Sequence, residues 1–306
     1  MDSAPAQHVL ERLAEALAES TATTVVISNE NLARASAEQA ARLWELLRAA
    51  MPGAESHLVI TARDLARQVP AAWQQQIQQR HMISWPDFLR SMRDGTKLAA
   101  YFLAAQDASD VALRWAGDLP ADRVHVVTVP RPGAPKSALL ERFCGVLGID
   151  LAAVASTVPV ANESLGRTPL ELLRRVIVDL GERLPHPRAG FGRVGKRYFA
   201  HEVLAPMGAD RLVLPAEMAP WCEEQTERLV QQISAAGYEV VGDLEELRPD
   251  LSGLETAPAE VTDSEIAAAA VAALADVLDQ RNRDLEEIDR LREQVRELRG
   301  RSRRRR

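Results

Sequence analysis

Three short runs rich in β-branched residues, Thr23-Thr-Val-Val-Ile-Ser28, Leu58-Val-Ile-Thr61 and Arg123-Val-His-Val-Val-Thr-Val-Pro130, are separated by stretches of helical periodicity. This alternation constrains the fold more than any other feature. Parallel strands need a crossover of a dozen or more residues between them, and helices fill each gap here. The expectation is an α/β domain, a parallel sheet flanked by helices on both faces.

Along the chain, helical periodicity at 8–18 leads into the first run, and helices are expected near 37–50, 67–80, 85–93 and 108–116. Beyond the third run, helices are expected near 137–147, 168–184, 196–204 and 215–236, the last stopped by Gly237. Composition then shifts to SGLETAPAEV, which reads as a linker over 251–261 between an α/β domain at 1–250 and a terminal segment at 262–306. Thr262-Asp-Ser-Glu265 has the form of a capping box opening a long helix to about residue 299. Its apolar positions Leu274, Val277, Leu285, Ile288, Leu291, Val295 and Leu298 recur in three- and four-residue steps, while Arg281, Asp284 and Arg292 break a clean heptad. A helix docked on the body or a weak pairing helix fits this pattern better than a dedicated coiled coil.

The net charge of −7 sits on an acidic body and argues against general nucleic-acid binding. The terminal RSRRRR lacks interleaved aromatics, so nucleic acid or anionic lipid would be held there by charge alone, and a solvated end is the simpler reading. Cys144 and Cys222 form no C-x-x-C pair and read as free structural thiols of a reducing compartment. There is no signal-peptide core and no window of about 18 apolar residues, which makes the cytoplasm the expected location.

Chemistry is sought at strand ends, because open parallel sheets bind ligands beyond the carboxyl ends of their strands. Arg63 follows the second run directly and is placed to meet an anion, guanidinium being suited to phosphate through paired hydrogen bonds. An Arg63-Asp64 pair, or a solvated arginine at a helix start, is the alternative. The first run ends in Ser28-Asn29-Glu30, where Glu30 has the chemistry of a general base and any of the three residues could cap a helix instead. Gly190-Phe-Gly192-Arg-Val-Gly195 matches G-x-G-x-x-G and, with Lys196, comes within one residue of a Walker A loop. The preceding LGERLPHPRA reads as a helix end and proline break rather than a strand, and Arg197 replaces the required Ser or Thr. A basic loop able to touch an anion and a plain surface loop both remain open.

Taken as a set, TTVVISNENLARAS, HLVITARDLARQVPAAWQ, RVHVVTVPRPGAPKSALLERFCGVLGID, the ANESLG segment and GYEVVGDLEELRPD resemble the sulfotransferase family, most closely actinobacterial sulfotransferase-like proteins. The resemblance spans roughly residues 25–250. It implies a fold related to nucleotide kinases and transfer of a sulfuryl group from 3′-phosphoadenylyl sulfate to a hydroxyl acceptor. It also implies that Arg63 holds the donor's 3′-phosphate, that Asn29 and Glu30 stand where the catalytic base lies, and that Arg193, Gly195 and Lys196 correspond to a basic loop closing over the donor. Ala71 stands where the family has a second 3′-phosphate ligand, a serine. The family's first strand and Lys-x-Gly-Thr-Thr loop, which wrap the 5′-phosphosulfate, have no counterpart, so the domain reads as incomplete at its N-terminus. Losing one preorganised donor at a developing oxyanion costs on the order of 10²–10³ in rate. Three functions therefore stay open: a sulfotransferase whose full polypeptide is longer, a catalytically inactive module acting through protein interaction, and, least favoured, an unrelated small-molecule α/β enzyme. An incomplete sheet is expected to expose a central edge and to self-associate there or through the C-terminal helix.

Overall fold

The computed structural model describes residues 4–154, 165–183, 191–208, 211–251 and 261–304. It is mostly helical, with a parallel sheet and one long C-terminal helix. In chain order the principal elements are α1 (Ala4–Ala18), α2 (Ala37–Ala50), β1 (Leu58–Ala62), α3 (Leu65–Gln78), α4 (Trp85–Arg93), α5 (Lys97–Gln106), α6 (Ala108–Ala116), β2 (Val124–Thr128) and α7 (Ala138–Leu147). These are followed by α8 (Arg167–Leu180), a π-helix (Gly192–Leu204), α9 (Ala219–Ala236), β3 (Glu239–Val241) and α10 (Asp263–Arg304).

The strands lie in the order β1-β2-β3, all parallel, with Leu58 opposite Val124, Ala62 opposite Thr128, and His125 opposite Glu239. Strand periodicity sends Ile60, Ala62, Val124 and Val126 to one face. There they join Ala40, Leu43 and Trp44 of α2, Val111, Ala112 and Trp115 of α6, and Leu229 and Ile233 of α9 in one buried cluster. The Trp44 and Trp115 rings meet edge to face at 6.2 Å, and the Trp44 indole N–H donates to the Trp115 carbonyl at 2.8 Å. Each buried ring thus keeps a polar partner while filling the core.

The expected first strand is absent. Residues 23–28 take no ladder hydrogen bonds, and Val25, Val26 and Ile27 are 38%, 48% and 36% exposed. β-branched composition favours a pleated, half-buried surface but makes no strand without a neighbour to pair with. The following turn, Glu30–Arg34, is tied down instead by α6: the Trp115 indole donates to the Leu32 carbonyl at 3.0 Å, and the Arg114 guanidinium to the Ala33 carbonyl at 2.9 Å. β1 and β2 pair directly over five residues, and β1 and β3 form the two edges of the three-stranded sheet. Both α5 and the three-residue β3 were missed in the sequence.

The chain divides into two compact units. One comprises Met1–Ala72, Pro86–Val160 and Val213–Ala257 and carries the sheet; the other comprises Trp73–Trp85, Ala161–Leu212 and Pro258–Arg306. In the second unit, Trp73 packs on Trp85 at 5.3 Å, and the start of α10 docks on α8 through Arg167–Glu265 at 3.2 Å and Arg175–Asp263 at 2.8 Å. The Thr262–Glu265 capping box forms, with the Glu265 amide donating to Thr262 Oγ1 at 3.2 Å and the Thr262 amide donating back at 2.7 Å. The linker at 252–260 and residues 161–164 of ANESLG lie outside the described residues.

Candidate functional site: the carboxyl ends of the strands

β1 ends at Ala62, and α3 begins three residues later, so Arg63 and Asp64 form the strand-to-helix turn. Asp64 is buried and caps α3, its Oδ1 accepting from the Arg67 amide at 3.0 Å. Its other oxygen takes the Arg67 side chain, and Arg67 also donates to the Pro130 carbonyl at 2.9 Å and the Val129 carbonyl at 3.3 Å. Arg67 is therefore a clamp joining the β1–α3 turn to the chain leaving β2. The Arg63-Asp64 pairing considered from the sequence does not form, because Asp64 is already committed three residues on.

Arg63 is left over. Its Nε is buried, and among the described residues the guanidinium has no hydrogen bond and no ion pair. Burial lowers its pKa below the ordinary arginine value, neighbouring Arg67 lowers it further, and Asp64 opposes both. A half-buried cation without an acceptor is costly, and an anion bound there would remove that cost. Arg63 lies two residues before the start of α3 in sequence. Ala71 is exposed on the same helix and offers no hydroxyl.

The neighbouring strand ends are closed by the protein itself. Arg142 of α7 makes a two-pronged pair with Glu246, at 2.5 and 2.9 Å, and donates to the Thr128 carbonyl at 2.7 Å. This hydrogen-bonded pair, opposed by burial and aided by Thr128, pulls the Glu246 carboxyl down to about 2. Gly242 makes the close approach possible, with φ +119° and no room for a side chain: a Cβ would stand 2.0 Å from Thr128 Oγ1. Neither Arg67 nor Arg142 was singled out in the sequence. The D-x-x-R spacing at a helix start was the available signal for Arg67, whereas Arg142 and Glu246 are 104 residues apart and gave none.

The remaining candidates fall elsewhere. Asn29 and Glu30 do not end a strand: Asn29 Oδ1 accepts from the Asn31 amide at 2.9 Å, capping the 3-10 turn that Glu30 opens, and both are exposed. The capping alternative is the one observed. Arg193 and Lys196 are exposed on the π-helix, and Gly195 is buried where a Cβ would collide with the Phe191 ring. The stretch from Gly192 is thus helical rather than a loop, Gly195 serves packing, and Gly190 lies outside the described residues. These three residues belong to the second unit, whereas Asn29, Glu30 and Arg63 belong to the first. Among the described residues no cluster of His, Cys, Asp and Glu is arranged to hold a metal, and no helix is long and apolar enough to cross a membrane.

At the opposite, amino end of the sheet, His57 Nδ1 lies 2.8 Å from His125 Nε2 with the rings stacked. Glu55 lies 3.1 Å from His57 Nε2, and Glu239 lies 2.6 Å from His125 Nδ1 without hydrogen-bond geometry. This row joins β1, β2 and β3 on the edge away from Arg63. Comparison of the chain with protein-family models, curated proteins and solved structures returns no match.

Proposed function

We propose that this chain is a sulfotransferase-like α/β module that binds the 3′-phosphate end of a phosphoadenosine nucleotide at Arg63 without transferring a sulfuryl group. The observation that carries the reading is the uncommitted, half-buried Arg63 guanidinium beyond the carboxyl end of a parallel strand, beside arginines that are all spoken for. A phosphate monoester supplies two oxygens to one guanidinium and satisfies the buried Nε.

The absence of transfer rests on the residues that the resemblance assigns to the reaction. Asn29 spends its side chain on a backbone amide, and Glu30 opens an exposed turn. With neither residue placed to take the acceptor's proton, the described residues offer no catalytic base beside a nucleotide held at Arg63.

Calorimetric titration with adenosine 3′,5′-bisphosphate tests the binding. Arg63→Ala weakens it by about tenfold or more, the loss expected for a charge-assisted pair, and leaves the weaker binding of adenosine 5′-monophosphate unchanged. No heat at millimolar bisphosphate, or equal affinity in the variant, refutes the assignment. Release of bisphosphate from 3′-phosphoadenylyl sulfate in the presence of a hydroxyl acceptor refutes the claim that transfer is absent and restores the enzymatic reading.

A further inference from the structure

The docked face of α10 continues past the body as an uncovered apolar seam. Over its first turns, Ile266, Ala269, Ala270, Ala273 and Val277 turn toward α8 and the π-helix and are partly or fully buried. At 100° per residue, Ile288, Leu291, Val295 and Leu298 fall on this same side, about three to six turns beyond Val277. There they are exposed, Leu291 by 47%. One helix face therefore serves an established contact in its first half and lies open in its second.

We propose that this second half, from about Arg281 to Leu298, pairs with the same segment of a second copy of the chain as a short, parallel, two-stranded coiled coil. The residue types select the partner. In the heptad that runs through the seam, the a positions are Ile288 and Val295, and the d positions are Leu291 and Leu298. β-branched residues at a with leucine at d favour two parallel strands over larger assemblies.

Charge agrees with the same alignment. Glu287 at g faces Arg292 at e of the partner, an attractive pair in the parallel register. Within one chain these two residues contact Arg290 and Asp289 across exposed i,i+3 steps, contacts that are easily exchanged. Arg281 and Asp284 occupy the next a and d positions toward the body and end the apolar seam there. The docked first half already holds the helix in shape, so association need not pay for folding it. Two heptads form a weak, reversible dimer rather than an obligate one. The inference is independent of the nucleotide reading, which concerns the other unit.

Sedimentation equilibrium of the full chain across a wide concentration range tests it. The expected result is a reversible monomer–dimer equilibrium, weakened by about tenfold or more in Leu291→Glu, which places a charge at the seam's centre. Glu293→Lys, at the exposed f position on the opposite side of the same segment, leaves the equilibrium unchanged. Because both native cysteines are buried, Leu291→Cys provides a second reading: mild oxidation gives a disulfide-linked dimer when d faces d in parallel register. A monomer at every concentration, a dimer indifferent to Leu291→Glu, or a Leu291→Cys chain that does not cross-link overturns the proposal.

Discussion

Replacing Glu246 by glutamine tests whether the carboxyl ends of β2 and β3 are closed by an ion pair within the protein. The Arg142 and Glu246 side chains are 23% and 18% exposed, so solvent screens them only in part. The Glu246 carboxyl moves from 4.5 to about 2. At 1.36 kcal/mol per pH unit, that displacement has a ceiling of roughly 3 kcal/mol, and partial screening leaves about 2–3. The folded-state value is the depressed one. The contribution is therefore complete above the unfolded value of 4.5 and is lost as pH falls toward 2. At pH 3.5, linkage between these two values removes about 1.4 kcal/mol of it. Urea unfolding, followed by the fluorescence of Trp44 and Trp115 in the same unit, is run on wild type and Glu246→Gln at pH 7 and pH 3.5. The wild type is more stable by about 2–3 kcal/mol at pH 7, and its advantage narrows by about 1.4 at pH 3.5. An advantage that is equal at both pH values, or larger in acid, refutes the ion-pair account of this edge.

Two further expectations concern the same unit. Gly242→Ala costs more than about 2 kcal/mol in urea unfolding, because it combines a left-handed backbone with a methyl driven into Thr128 and Arg142. The Cys222 thiol, fully buried and pushed up by that burial to about 12, resists disulfide reagents at pH 8 in the native protein and reacts once urea exposes it; rapid native reaction would show the site to be open.

The helices were legible where periodicity and capping agreed. Trp85–Arg93 and Ala108–Ala116 fall where apolar spacing placed them, and the Ser36–Gln39 capping box fixes the start of α2. Lys97–Gln106 escaped notice because KLAAYFLAAQ is apolar nearly all round and carries no helical period. The sheet failed at both ends for one reason. Thr23–Ser28 has strand composition but no neighbour, whereas Glu239–Val241 has only three residues and becomes a strand because β2 presents a free edge. Pairing depends on residues distant in sequence, and a local pattern does not contain it. The same holds at the site: Arg63 was visible from its position after a strand, while the contacts of Arg67 and Arg142 that single it out link segments more than 60 residues apart.

Those contacts also set what Arg63 can do. Had Arg142 been unpaired, the carboxyl ends of β1 and β2 would have offered two cations to one ligand, enough to grip both ends of a doubly phosphorylated nucleotide. Glu246 already occupies Arg142 from both sides, and the carbonyls of Val129 and Pro130 with Asp64 occupy Arg67. Displacing Glu246 would require a ligand to outcompete a carboxylate held at an effective concentration no free anion reaches. On the proposed reading, recognition at the carboxyl ends of the strands is thereby confined to a single anionic group beside β1. Holding one phosphate without orienting the other is what a binding module does and what a transferase, which must position the reacting bond, cannot rely on.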